Sequence, residues 1–321
     1  MKKIAIEEHF VPPDRAALVT SPGWPAAVFR ATVADLVDTE RRLEEMDRCG
    51  VEVAVLSLAS NGIQDVLEPA SAISVAREAN DYLAQLTAAH PDRYAGFAAL
   101  PMQDVAAAIA ELDRSVFELR LRGALVNGYS SIGDLDTARY YDDPAYDPLW
   151  ERFVFHGVPL YLHPRNPLPN QRRIYAGREE LLGPTWGFGA ETAVHALRML
   201  TGGVFDRVPG LQVILGHLGE LLPFAIRRLE QRLGRRDDVS LKRGASEYLR
   251  DNFWITTSGN YHTPSLIGIL LELGADRVMF ASDYPFERLA DGADWIDSVT
   301  ISYRDREKIG WSNAAAFLGV G

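Results

Sequence analysis

The sequence predicts an α/β fold, a closed (β/α)8 barrel, on three observations. Eight short apolar runs alternate with longer stretches of helical period, each run followed by one such stretch. The runs are near-continuously apolar, as parallel strands buried on both faces require. No Gly-x-Gly-x-x-Gly follows the first run, and an open doubly wound sheet would leave two strand edges unpaired, so closure is the better solution.

The first strand is expected over 3–10, where Ile4, Ala5 and Ile6 lead into Glu7-Glu8-His9-Phe10. A helix over 32–49 follows, ended by Gly50 in a left-handed cap that feeds a strand over 51–59. The next pairs are a helix over 69–89 with a strand over 94–100, and a helix over 104–119 with a strand over 123–129. A helix over 144–156 leads to the fifth strand, 159–163, and one over 189–207 to the sixth, 211–217. Helices over 221–233 and 264–273 precede strands over 253–258 and 277–283, Gly274 capping the second of them, and a helix over 291–301 completes the series. At 321 residues the chain suits one barrel domain over 1–321.

Composition narrows the function. With 47% apolar and 24% charged residues the chain has the balance of a soluble globular protein, and no segment approaches a membrane span. Its start reads as a strand, without a basic and then apolar leader, so a cytoplasmic location is expected. The single Cys49 rules out a disulfide framework and reads as a small packed residue. A net charge of −11 disfavours nucleic-acid backbones, which demand clustered Lys and Arg.

Two loops leave carboxyl ends of strands and are long: 11–31, with Trp24 among four prolines, and 164–188, which runs through Trp186 to Phe188. Long ordered loops at that end of a barrel form its pocket. Polar residues end several strands there, which is where barrel enzymes place their chemistry. His9, His163 and His217 terminate the first, fifth and sixth strands, and Asp283 the eighth. Glu7 and His9, two apart on a strand, face the same way, while Glu8 points away. Glu7, His9, His163 and Asp283 offer only oxygen and nitrogen donors, which suits Zn2+ or Mn2+, the two carboxylates favouring the harder Mn2+. A second metal would need a bridging anion, such as a carboxylated lysine on the fourth strand. The four lysines, Lys2, Lys3, Lys242 and Lys308, all lie elsewhere, so one metal ion is expected. His217 and Glu220, one turn apart, read as a working pair in which the carboxylate fixes the imidazole tautomer; a structural hydrogen bond at a helix start is the plainer alternative.

Several strings resemble one family: Ala5-Ile6-Glu7-Glu8-His9-Phe10, Tyr161-Leu162-His163-Pro164-Arg165-Asn166-Pro167, Ile214-Leu215-Gly216-His217-Leu218-Gly219-Glu220 and Ser282-Asp283-Tyr284-Pro285-Phe286-Glu287. They are similar to the amidohydrolase-related, metal-dependent decarboxylases that act on γ-resorcylate and 2,3-dihydroxybenzoate. The resemblance runs along nearly the whole chain. It implies a barrel of the amidohydrolase type, one divalent metal held by Glu7, His9, His163 and Asp283, assistance from His217 and Glu220, and a homodimer or homotetramer. Hydrolytic relatives open with His-x-His, whereas Glu7-x-His9 is the pattern of the decarboxylating branch. The first loop departs from the γ-resorcylate pattern at Ser21-Pro22-Gly23-Trp24, which leaves the substrate's ring open.

The expected reaction is loss of CO2 from an ortho-hydroxybenzoate, a small aromatic carboxylate. Asp283 donates the proton to the ring, Trp24 and Phe188 wall the ring, and Arg228 meets an anionic or phenolic substituent. The rival is a mononuclear metal-dependent hydrolase of a lactone or amide, which the same ligands would serve. A catalytically silent metal scaffold is a third reading, at odds with ligands spread over a large barrel.

Overall fold

The computed structural model describes residues 1–19, 25–60 and 62–321. Eight parallel strands succeed one another around an axis: β1 (Lys3–Phe10), β2 (Val51–Leu58), β3 (Tyr94–Gly96 and Ala98–Ala99), β4 (Ala124–Asn127), β5 (Leu160–His163), β6 (Val213–Leu215), β7 (Phe253–Thr256) and β8 (Val278–Met279). They form two arcs, and both seams between the arcs are closed. β3 changes partner in mid-strand, Phe97 donating to Leu56 O on one side and Ala98 to Gly123 O on the other, each at 2.9 Å. Past β8 the chain stays extended beside β1, where Asp283 N donates to Glu7 O at 2.9 Å and His9 N to Tyr284 O at 2.8 Å. The result is the (β/α)8 barrel expected from the alternation.

Eight helices clothe it: α1 (Thr39–Cys49), α2 (Pro69–Ala89), α3 (Val105–Phe117), α4 (Asp147–His156), α5 (Gly187–Thr201), α6 (Leu222–Leu233), α7 (Thr263–Leu273) and α8 (Leu289–Ser298). Local chemistry sets their ends. Asp38 caps α1 by accepting from Arg41 N at 2.9 Å, Gly50 ends it at φ 66°, and Asp104 caps α3 through Ala107 N at 3.0 Å. The main core lies between strands and helices. A second core, including Ile4, Ile6, Val55, Phe97, Leu125 and Ile214, fills the lumen.

The differences from the sequence expectation have local causes. The helix expected over 32–49 is two helices, Ala26–Val37 and α1, because Asp38 leaves helical geometry to cap the second. The one expected over 189–207 breaks at Gly203, φ 75°, into α5 and a short turn, Val204–Arg207. A hairpin, Ser130–Ile132 with Asp134–Arg139, follows β4, and a helix, Ala245–Asn252, precedes β7. Beyond 301 the chain folds under the barrel: Leu318 joins the lumen core and Phe317 stacks on Trp254 with ring centroids 4.3 Å apart. No helix among the described residues is long and apolar enough to cross a membrane.

Candidate metal centre

A residue of irregularity in β1 aims the site. Pairing with β2 runs Ala5 to Ala54 and then Glu8 to Leu56, so β1 spends three steps where β2 spends two. Strict alternation from Ile4 and Ile6 would carry Glu7 to the helix side of the wall. The bulge lets Ile6 stay in the lumen and still brings Glu7 and His9 to face the barrel mouth, re-aiming side chains as bulges do beside functional sites. His163 arrives from the end of β5 and Asp283 from the extension of β8. Ligand atoms of Glu7, His9, His163 and Asp283 all lie within 4.8 Å of one another.

The neighbours fix which atoms face the centre. His9 Nδ1 lies 3.2 Å from Ser57 Oγ, and His163 Nδ1 lies 3.1 Å from Pro164 O and 3.3 Å from Ser60 Oγ. Each imidazole thus engages its Nδ1 outward and turns Nε2 inward, the arrangement that outer partners impose on metal-binding histidines. Glu7 is anchored through its other oxygen, Oε2, which accepts from Tyr161 OH and, at 3.4 Å, from Thr256 Oγ1. Gly216 permits this approach, since a Cβ there would sit 2.8 Å from Glu7 Oε2.

Three inward atoms make no hydrogen bond and face only other members of the cluster, Glu7 Oε1 lying 3.3 Å from His163 Nε2. Glu7 Oε1, His9 Nε2 and Asp283 Oδ1 are buried without a hydrogen-bond partner, although His9 Nε2 and Asp283 Oδ1 stand only 3.1 Å apart. Buried polar atoms are otherwise almost always satisfied, and two carboxylates with two imidazoles make a donor set for one hard-to-borderline divalent cation. The residues present therefore fit a single metal ion. Burial holds the His163 imidazole well below its usual range, so it is the neutral ligand form, and burial raises Glu7, with Asp283 pushing the same way, a carboxyl that a bound cation would return to its ionised form.

His217 stands beside the cluster. Its Nδ1 lies 2.7 Å from Glu220 Oε1, and its Nε2 faces Asp283 Oδ2 at 3.6 Å and Glu7 Oε1 at 4.0 Å. Burial alone would lower its pKa, but Glu220, Glu7 and Asp283 together hold it well above the imidazole range. For Asp283 burial would raise the carboxyl, yet His217 and His9 override it and keep the group ionised well below the usual carboxylate range. Backbone geometry shows how His217 and Glu220 are delivered. His217, Leu218, Gly219, Glu220 and Leu221 all have positive φ, 51°, 60°, 80°, 51° and 69°, and Asp283 has φ 70°. A left-handed conformation costs a non-glycine residue roughly 1–2 kcal/mol, so the surrounding fold must impose it. Leu218, buried, is pinned by donating to Thr256 O at 2.8 Å.

The other residues singled out from sequence fare differently. Phe188 is half-buried in the first turn of α5, next to Gly189, where a Cβ would lie 2.9 Å from Glu220 Oε2, so that turn abuts the site. Trp24 lies outside the described residues. Arg228 is exposed on α6 with no ion pair or hydrogen bond joining it to the cluster. Sequence reading missed Tyr161, Ser57, Ser60, Thr256 and Phe286, whose ring lies 5.5 Å from that of His9. Only Tyr161 carried a usable signal, standing two residues before His163 and hence on the same face of β5.

A model of the amidohydrolase family matches residues 7–320. The chain is 47% identical over 319 residues to a γ-resorcylate decarboxylase of Polaromonas, the match covering 97% of each chain. It superimposes with a TM-score of 0.96 and 44% identity, covering 100% of both chains, on a crystal structure of a 2,6-dihydroxybenzoate decarboxylase complexed with 2,6-dihydroxybenzoate. A second structure, a dihydroxybenzoic acid decarboxylase from Polaromonas with bound manganese and the inhibitor 2-nitroresorcinol, matches with a TM-score of 0.93 and 45% identity over 99% of this chain and 97% of that one.

Proposed function

The chain belongs to the amidohydrolase family, and from that premise we propose that it is a metal-dependent carboxy-lyase removing CO2, without oxidation, from an ortho-hydroxybenzoate of the γ-resorcylate (2,6-dihydroxybenzoate) type. The observation that carries the reading is the Glu7, His9, His163 and Asp283 cluster with its unpartnered inward atoms, set in a chain so similar to decarboxylases of that substrate class. A divalent ion held by these four, Mn2+ or Zn2+, supplies Lewis acidity and a template for a carboxylate and its neighbouring hydroxyl.

The chain's own residues manage the proton. Direct loss of CO2 would leave an aryl anion, so the ring carbon bearing the carboxylate is protonated first, with electron release from the ortho oxygen. Asp283 delivers that proton in this reading. His217, with Nε2 3.6 Å from Asp283 Oδ2, resupplies it, and Glu220 steadies the imidazole through Nδ1. The C–C bond then breaks, its electrons return to the ring, and CO2 leaves with a C–H bond in its place. Phe188 and Trp24 wall the ring in this reading. The whole chain acts as one barrel domain, in the cytoplasm, as a homo-oligomer.

The test is a panel of ortho-hydroxybenzoates incubated with the Mn2+-loaded protein in D2O. CO2 release with deuterium at the vacated carbon is the expected result. Incorporation of solvent oxygen into the acid formed from a lactone or amide, with no CO2 from any member of the panel, would replace this reading by the hydrolase.

A further inference from the structure

Glu8 has no place in the mechanism above, although it lies between two of the proposed ligands. It faces the helix side of the barrel wall and is 2% exposed. There its carboxylate spans the seam that closes the barrel: Oε1 accepts from Ser282 N at 2.9 Å, and Oε2 accepts from Ser282 Oγ at 2.8 Å. The same hydroxyl accepts from Tyr284 N at 3.2 Å, so one carboxylate and one serine tie down both neighbours of Asp283. Backbone bonds cross the same seam, Ile6 N to Phe280 O at 3.2 Å, Asp283 N to Glu7 O at 2.9 Å and His9 N to Tyr284 O at 2.8 Å, and the Glu8 carboxylate adds the side-chain bonds at Ser282, between Phe280 and Asp283. Arg42, also buried, donates to His9 O and lies 5.0 Å over the Tyr284 ring, filling the space behind the clamp.

The clamp matters because Asp283 cannot relax into its position unaided. It sits at φ 70°, a strained conformation for a non-glycine residue, and an unclamped seam would let the turn swing Oδ1 away from the cluster. We propose that Glu8 is a positioning residue for the metal centre, holding Ser282-Asp283-Tyr284 so that the Asp283 carboxylate is presented to the cation. Outer groups that orient ligand carboxylates influence metal affinity by about 10- to 100-fold.

This rests on the metal reading of the cluster, and wild-type Mn2+ binding, followed by the EPR signal of free Mn2+, tests that reading separately. Three variants of the metal-free protein then test Glu8. Glu8→Leu removes both acceptors at similar volume, Ser282→Ala removes the hydroxyl half of the clamp, and Glu8→Gln keeps an acceptor for Ser282 N and a donor for its Oγ. The expected result is Mn2+ binding weakened about 10- to 100-fold in Glu8→Leu, less in Ser282→Ala, and largely restored in Glu8→Gln, with metal-free melting temperatures that do not follow that order. A lowered melting temperature with Mn2+ affinity within about twofold of wild type in Glu8→Leu and Ser282→Ala would make Glu8 a structural residue only. Glu8→Gln as weak as Glu8→Leu would also overturn the proposal, as would an unfolded Glu8→Leu alongside a Ser282→Ala that binds like wild type.

Discussion

The two ends of the barrel lumen are built from the same strands and obey opposite rules. At the floor, Ile4, Ile6, Ile214 and Met279 are buried against a carboxyl-terminal plug that includes Leu318 and the Phe317 ring stacked on Trp254. Further along the barrel toward the carboxyl ends of its strands, the lumen-facing positions become Glu7, His9, His163 and Asp283, with three buried atoms that make no hydrogen bond. The floor is satisfied by packing and gains from every apolar contact. The mouth is held in an arrangement that its own residues do not satisfy, by a left-handed turn at 217–221 and by outer hydrogen bonds from Ser57, Ser60 and Tyr161. Stability is concentrated in one half of the lumen and function in the other, the trade expected where a site must stay open to a ligand.

That contrast can be broken experimentally, and the largest effect belongs at the mouth. Asp283→Asn should lower kcat for decarboxylation by on the order of 10²- to 10⁴-fold, the range for losing a general acid, while the metal-free melting temperature moves little, because the lost attraction to His9 and His217 is offset by one fewer carboxylate beside Glu7. A clear fall in melting temperature would mean that the mouth contributes to stability as well. The floor should behave in the reverse way. Leu318→Ala should destabilise the protein by about 2–5 kcal/mol in urea titrations, with Mn2+ affinity unchanged. The boundary between the halves is Tyr161, buried in the lumen and bonded upward to Glu7. Tyr161→Phe retains the ring and its packing, so unfolding should shift by no more than about 1–2 kcal/mol, and Mn2+ binding should weaken by about tenfold as Glu7 loses its anchor. Equal losses in the two measurements would show that floor and mouth are not separable at that residue.

How much of this was legible in the sequence depends on the range of the interactions involved. His163 could be found because Leu160-Tyr161-Leu162 runs apolar until it, and β5 was placed with an error of one residue at its start. Asp283 could be found as the residue where an apolar run stops, although regular strand geometry ends at Met279 and the chain is kept extended to that point by the seam with β1 and by Thr257 Oγ1 bonding Ala281 on the other side. Glu8 was rightly read as pointing away from Glu7 and His9, but nothing local disclosed Ser282, which lies 274 residues further along and bonds it across the seam. The left-handed run at 217–221 was invisible because only Gly219 in it has a composition that asks for positive φ.

The sequence by itself determined the alternation of strands and helices, the residues that end the strands, and hence the chemical composition of the mouth, because periodicity and strand ends are properties of neighbours in the chain. Tertiary structure alone decided the bulge that lets Ile6 and Glu7 both face inward, the strained turns that present His217 and Asp283, and the plug that seals the floor. Each of these is a local conformation that a free segment would not hold. Contacts made far along the chain impose them, and those contacts exist only once the barrel has closed.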